Sequence, residues 1–266
     1  MQVFADDGAR INVRVDGRKR DPAVVLIHGF PLTNDIWEAQ GDVLARSSYV
    51  LRLDMRGSGA SSAPEGPYLM ERLAADVATA LDSLSIDRAA LIGHSMGGYV
   101  ALAFARMFTE RVTRLVLVTS RLRADTPEEA RTRKELAERA ERDESIEPVI
   151  EAYLPRLLAQ KSFDQRDEVV GRAYEIARKN SPAGAAATLR GMALRASSED
   201  IAQELAVPAL MVAGGRDRVV SIDEARSIAA TFPCGRLVVC QESGHLPMLE
   251  EPERVTAALA AFLAQP

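Results

Sequence analysis

Histidine, cysteine and tryptophan are scarce in this chain of 266 residues, with three, two and one of each. Two cysteines, Cys234 and Cys240, are too few for a disulfide framework, and Cys240 ends an apolar strand-like run that starts at Arg236. Reduced thiols and a cytoplasmic location are therefore expected. Neither cysteine has a partner at metal-ligand spacing, and His28, His94 and His245 stand far apart, so no metal site is expected. Basic residues are not in excess either: 33 Lys and Arg oppose 38 Asp and Glu, a net charge of −5. That balance argues against a nucleic-acid surface and against an anionic-membrane surface. No apolar run is long enough to span a bilayer. The opening residues, Met1 to Asp7, lack the basic-then-apolar pattern of a signal peptide.

What is present is a regular alternation. Val24-Val25-Leu26-Ile27 is a continuous apolar run, as a strand buried on both faces requires. Tyr49–Leu53, Ala89–Ile92 and Leu115–Val118 repeat the pattern. Helical segments are expected between them at Asp35–Ala45, Leu69–Leu84 and Gly98–Phe108. Strands alternating with helices imply right-handed βαβ units and a parallel sheet with helices on both faces. Val3-Phe4 and Ile11–Val15, around Asp7-Gly8, read as an antiparallel hairpin at the sheet edge.

The alternation stops near Ser120. Residues 121–205 read as helix only, with a dense charge run from Glu128 to Arg142 that is expected to be a solvated face. Pro127, Pro148 and Pro182 sit where helices would start. Strands resume at Pro208–Ala213 and Arg236–Cys240, separated by a helix at Asp223–Thr231, and a helix at Pro252–Leu263 follows. Residues 1–120 and 206–266 are thus expected to form one α/β core, into which residues 121–205 are inserted as an all-helical cap.

The most specific signal is Gly93-His94-Ser95-Met96-Gly97-Gly98, between the Ala89–Ile92 strand and an apolar helix. A strand that breaks sharply into a helix at a serine exposes that hydroxyl, and the flanking glycines let backbone pass close by. A serine hydroxyl needs a base to take its proton and a carboxylate to orient that base. In an open parallel sheet such groups gather beyond the carboxyl ends of the strands. Gly214-Gly215-Arg216-Asp217 and Gln241-Glu242-Ser243-Gly244-His245 follow the two resumed strands. Asp125 and Glu242 compete with Asp217 as the acid, the first after the Leu115–Val118 strand and the second on the loop of His245 itself.

With these residues in view, the chain resembles the α/β-hydrolase family over nearly its full length. The resemblance is carried by His28-Gly29-Phe30-Pro31, Asp54-Met55-Arg56-Gly57-Ser58-Gly59, Gly93–Gly98, Gly214–Asp217, Ser243-Gly244-His245 and Glu250-Glu251-Pro252. It implies a mostly parallel eight-stranded sheet, with Ser95 as nucleophile, His245 as general base and then acid, and Asp217 as the orienting acid. The backbone N–H groups of Met96 and Phe30 are the expected oxyanion donors. The implied activity is hydrolysis of small carboxylic esters or lactones through an acyl-enzyme, with no metal or organic cofactor.

The pattern is most similar to 3-oxoadipate enol-lactonase-like and small carboxylesterase-like members. A cofactor-free perhydrolase (haloperoxidase-like), a prolyl aminopeptidase and a ligand-sensing binding protein are the alternatives on the same scaffold. Trp37 and Phe30 are candidates to line the pocket. Arg121, Arg123, Arg190 and Arg195 are candidates to pair with an anionic substrate. His28, Asp54 and Arg56 read as residues that hold loops near the site, and His94 as packing beside Ser95.

Overall fold

The computed structural model describes residues 1–265. Its centre is one eight-stranded sheet: β1 (Gln2–Phe4), β2 (Arg10–Asp16), β3 (Ala23–Ile27), β4 (Tyr49–Asp54), β5 (Ala89–His94), β6 (Val112–Val118), β7 (Ala209–Gly214) and β8 (Gly235–Cys240). The spatial order is β1-β2-β4-β3-β5-β6-β7-β8. The edge hairpin β1–β2 and the β2–β4 pair are antiparallel, and every other pair is parallel. The uninterrupted apolar runs of the sequence become the central strands, and β4 and β5 are buried at every position.

The described residues form twelve α-helices. In the core they are α1 (Glu38–Leu44), α2 (Met70–Ser83) and α3 (Met96–Met107). Between β6 and β7 come α4 (Pro127–Arg142), α5 (Glu147–Leu157), α6 (Gln160–Gln165), α7 (Asp167–Ala177), α8 (Pro182–Ala193) and α9 (Glu199–Glu204). The remaining three are α10 (Ile222–Thr231), α11 (Pro247–Glu250) and α12 (Pro252–Leu263). α1 packs on α12, while α2 packs on α3, which lies against β5 and β6. The segment expected as one helix at Asp35–Ala45 is a 3-10 turn, Asn34–Trp37, running into α1.

The three prolines do open helices: Pro127 and Pro182 occupy the first positions of α4 and α8, and Pro148 the second position of α5. α4 also carries a capping box, in which the Thr126 hydroxyl accepts from the Glu129 N–H and Glu129 reaches back to the Thr126 N–H. The charge run is only partly a solvated face. Glu128, Arg131, Lys134, Glu135, Glu138, Arg139, Glu141 and Arg142 are exposed, but the Arg133 side chain is only 17% exposed because it turns inward onto buried Asp125.

Two features of the sheet place the functional loops. Strand order reverses between β3 and β5, which opens a crevice beyond their carboxyl ends. The register keeps those ends level: Ile27 lies beside Gly93, His94 beside Val118, Val118 beside Val212, and Gly214 beside Cys240. The loops bearing Phe30, Ser95, Asp217 and His245 therefore leave the same edge of the sheet.

Candidate active site

Ser95 caps the N-terminus of α3 with φ +48° and ψ −113°, a conformation that side chains rarely adopt. Its neighbours leave no room for an alternative path. A methyl group on Gly93 would lie 2.2 Å from the Gly97 carbonyl oxygen, and one on Gly97 would lie 2.3 Å from the Ile27 carbonyl oxygen. The Ser95 N–H donates to Val118 O, and the Ser120 hydroxyl donates to Ser95 O. The turn is thus tied through both of its backbone polar groups, to the end of β6 and to Ser120 just beyond it.

His245 Nε2 lies 2.9 Å from Ser95 Oγ, and His245 Nδ1 lies 2.8 Å from Asp217 Oδ2. Asp217 is an acceptor on all sides: its Oδ1 receives the Val219 N–H at 2.7 Å and the Val220 N–H at 3.1 Å. These bonds fix one Nδ1–H donor on the ring and leave Nε2 as the acceptor for the serine proton. The His245 backbone is held as firmly. Its carbonyl accepts from His94 Nε2 and Thr119 Oγ1, each at 2.9 Å, and its N–H donates to Leu157 O at 2.7 Å. Burial, reinforced by the neighbouring His245, keeps His94 well below its usual pKa, so it is a neutral donor.

The competing carboxylates sit elsewhere. Glu242 is exposed and pairs with Lys161. Asp125 is enclosed by two arginines: Arg133 Nε at 2.5 Å and Arg195 Nη2 at 2.9 Å. His28 is a loop support, as its sequence context suggested. Its Nδ1 donates to Gly29 O and its Nε2 accepts the Met55 N–H at 3.0 Å. Asp54 Oδ1 accepts the Asn34 N–H, and Arg56 grips buried Asp76 with two 2.6 Å bonds.

A cavity of about 270 Å³ opens onto Ser95 and His245. Its walls include Phe30 and Tyr99 from the core and Leu136, Tyr153 and Met192 from α4, α5 and α8. Of the side chains expected to meet substrate, Phe30 and Arg121 are on this wall and the others are not. Trp37 is wholly buried in the core. Arg123 spends its guanidinium on Glu129, at 2.6 and 2.8 Å. Arg190 forms a surface fork with Glu141. Arg195 lies over the Tyr99 ring at 4.0 Å and is held by Asp125. Arg121 itself is occupied by Glu129, Glu224 and the Val219 carbonyl. Arginine spacing in the sequence shows no tertiary partners, and each of these four guanidiniums found an acid.

Three residues that the sequence reading did not assign are prominent here. Arg133 and Tyr153 line the cavity, with a 2.6 Å bond between Arg133 Nη1 and the Tyr153 oxygen. Glu250 is buried and binds both the histidine loop and the helical block. Its Oε2 accepts the Gly244 N–H at 2.7 Å, and its Oε1 accepts the Ala159 N–H at 2.8 Å and the Ser162 hydroxyl at 2.7 Å. The available signal for Glu250 was its place in Glu250-Glu251-Pro252, one of the stretches that carry the family resemblance; for Arg133 and Tyr153 there was only helical spacing.

The comparisons with known proteins identify the family. The family model described as alpha/beta hydrolase fold matches residues 22–252. An esterase from Thermogutta terrifontis is 35% identical with a TM-score of 0.95, covering 99% of this chain and 97% of that one. The enol-lactonase from Burkholderia xenovorans LB400 is 27% identical, with a TM-score of 0.91 and full coverage of both chains. In sequence, 3-oxoadipate enol-lactonase 2 of Acinetobacter baylyi is 24% identical over 253 residues, 95% of this chain and 92% of that protein. Fold, strand order and family match converge: this chain belongs to the α/β-hydrolase fold family.

Proposed function

We propose that this protein is a serine hydrolase that cleaves carboxylic esters or lactones through an acyl-enzyme on Ser95. The observation that carries the reading is the hydrogen-bonded row from Ser95 Oγ to His245 Nε2 and from His245 Nδ1 to Asp217 Oδ2, at 2.9 and 2.8 Å. The names of the relatives, esterase and enol-lactonase, support the ester or lactone substrate. Among the described residues no helix is long and apolar enough to cross a membrane.

In this reading His245 Nε2 takes the Ser95 proton as Oγ attacks the carbonyl carbon. The oxygen of the tetrahedral intermediate sits between the N–H of Met96 and that of Phe30. Met96 is the first residue of α3, so its N–H has no intrahelical partner and lies at the positive end of the helix dipole. Such a donor contributes about 3–4 kcal/mol to the transition state. Collapse of the intermediate breaks the C–O bond, and His245 returns its proton to the leaving oxygen. A water, deprotonated by the same nitrogen, then attacks the acyl-serine. The acid departs and Ser95 regains its proton. Residues 121–205 act as a cap, supplying the cavity walls opposite Ser95.

The test is labelling by a fluorophosphonate together with turnover of p-nitrophenyl acetate. Wild type is expected to show both and Ser95→Ala neither. Labelling that survives in Ser95→Ala, or a wild type that neither labels nor hydrolyses any ester or lactone, overturns the proposal.

A further inference from the structure

The cavity contains a hydrogen-bond donor whose own partner is missing. The Tyr153 oxygen accepts from Arg133 Nη1 at 2.6 Å. A guanidinium only donates, so the phenol proton is free for some other acceptor. Among the described residues none takes it, and the half-buried side chain faces the cavity. Burial raises the Tyr153 pKa, with Arg133 opposing, so the hydroxyl keeps its proton.

The hydroxyl is also fixed in place. Arg133 is clamped on Asp125 by bonds of 2.5 and 3.3 Å, and Asp125 is held from its other side by Arg195 at 2.9 Å. The Tyr153 ring stands edge-on to Phe30, with centroids 5.1 Å apart and an interplanar angle of 81°. Phe30 is itself a proposed oxyanion donor, and Tyr153 lines the same cavity as Ser95 and His245. Leu136, Leu157, Met192 and Val219 make the neighbouring wall apolar. Of the other polar lining groups, Glu128, Thr132 and Arg156 are exposed to solvent.

We infer that Tyr153, oriented by Arg133 and Asp125, is the specificity-determining donor of this cavity, which selects esters carrying a second oxygen acceptor besides the scissile carbonyl. This rests on the hydrolase reading given above. A site built around a donor disfavours an analogue lacking the acceptor, because the donor is then left desolvated and unpaired. The cation faces the cavity and its carboxylate partner lies behind, so a neutral carbonyl and a carboxylate are both suitable acceptors.

The test compares p-nitrophenyl pentanoate with two esters of the same length, the 4-oxopentanoate and the succinate monoester. In wild type at least one acceptor ester is expected to exceed the pentanoate in kcat/KM by on the order of tenfold. In Tyr153→Phe that ratio falls to near one. A fall for the 4-oxopentanoate identifies a neutral acceptor, and a fall confined to the succinate monoester identifies a carboxylate. If Tyr153→Phe folds poorly, Arg133→Lys keeps the positive charge but loses the fork that fixes the phenol, and it is expected to lower the ratio in the same direction. A wild type without preference, or a ratio unchanged in both variants, overturns the inference while leaving the hydrolase reading intact. Absence of turnover of all three esters together with absence of fluorophosphonate labelling overturns both.

Discussion

Ser95 holds its backbone at φ +48° so that its hydroxyl can face His245. Non-glycine residues in such regions cost about 1–3 kcal/mol, and glycine relieves the strain while losing about 0.5–1 kcal/mol through the freer unfolded chain. Ser95→Gly is therefore expected to abolish turnover and yet to melt higher than Ser95→Ala, by roughly 2–4 °C for about 1 kcal/mol. Scanning calorimetry of the two inactive variants decides this, and equal melting temperatures would remove the strain argument. The carboxylates separate just as cleanly. Asp217→Asn keeps the shape but lets His245 adopt the wrong tautomer, so kcat is expected to drop on the order of 10⁴-fold. Asp125→Asn instead leaves Arg133 and Arg195 without their counter-charge. It is expected to lower stability by about 3–5 kcal/mol with a far smaller loss of kcat. Denaturant unfolding and kcat measured on both variants check the assignment; the opposite pattern would make Asp125 the acid.

At the scale of single elements, the start of α4 shows how charge and capping combine. Glu129 closes the capping box and also binds Arg123 and Arg121. Its hydrogen bond with Arg123 is the main reason its carboxyl sits well below the ordinary value of 4.5. A carboxyl whose folded pKa is depressed contributes stability above the unfolded pKa and loses it as pH falls toward the folded one. Gln can also serve at this capping position, so Glu129→Gln isolates the charge. The stability gap between wild type and Glu129→Gln is expected to be constant from about pH 7 to 5 and to narrow below about 4.5. Chemical denaturation across that range measures it, and a gap that widens in acid contradicts the ion-pair account. Elements of this kind explain what could be read from the chain beforehand. Strands β3 to β8 and the turn at Ser95 are specified locally, by short mostly apolar runs and by glycines at set offsets. The meeting of Ser95, Asp217 and His245 followed because each stands just past a strand end. The inward turn of Arg133 was hidden. It lies in a run of like-looking charges, and only the packing of α4 on α5 and α8 brings Asp125 and Tyr153 to it.

Across the whole molecule, one join between the helical block and the core lies at the histidine loop. Glu250 binds Gly244 on the histidine loop and Ala159 and Ser162 in the helical block, while the His245 N–H reaches Leu157 O. Burial raises the Glu250 pKa, against the pull of the Ser162, Ala159 and Gly244 donors. An amide is not equivalent here. Glu250→Gln must point its NH₂ at either a backbone N–H or the Ala159–Ser162 pair, setting donor against donor. Loss of these charge-assisted bonds in a buried site is expected to cost about 2–4 kcal/mol. Because the carboxylate spans two bodies, the loss should appear at both of its ends. Amide hydrogen exchange is expected to quicken at Leu157–Gln165 and at Ser243–Leu246 together, with β3 and β5 unaffected. Turnover should fall with KM little changed, since the imidazole is displaced while the cavity walls at Leu136, Met192 and Tyr153 stay in position. Exchange that quickens at only one of the two segments would show that Glu250 merely fills space beside one of them, and the coupling of histidine loop to helical block would have to run through the other contacts, His245 N–H to Leu157 O and Lys161 to Glu242.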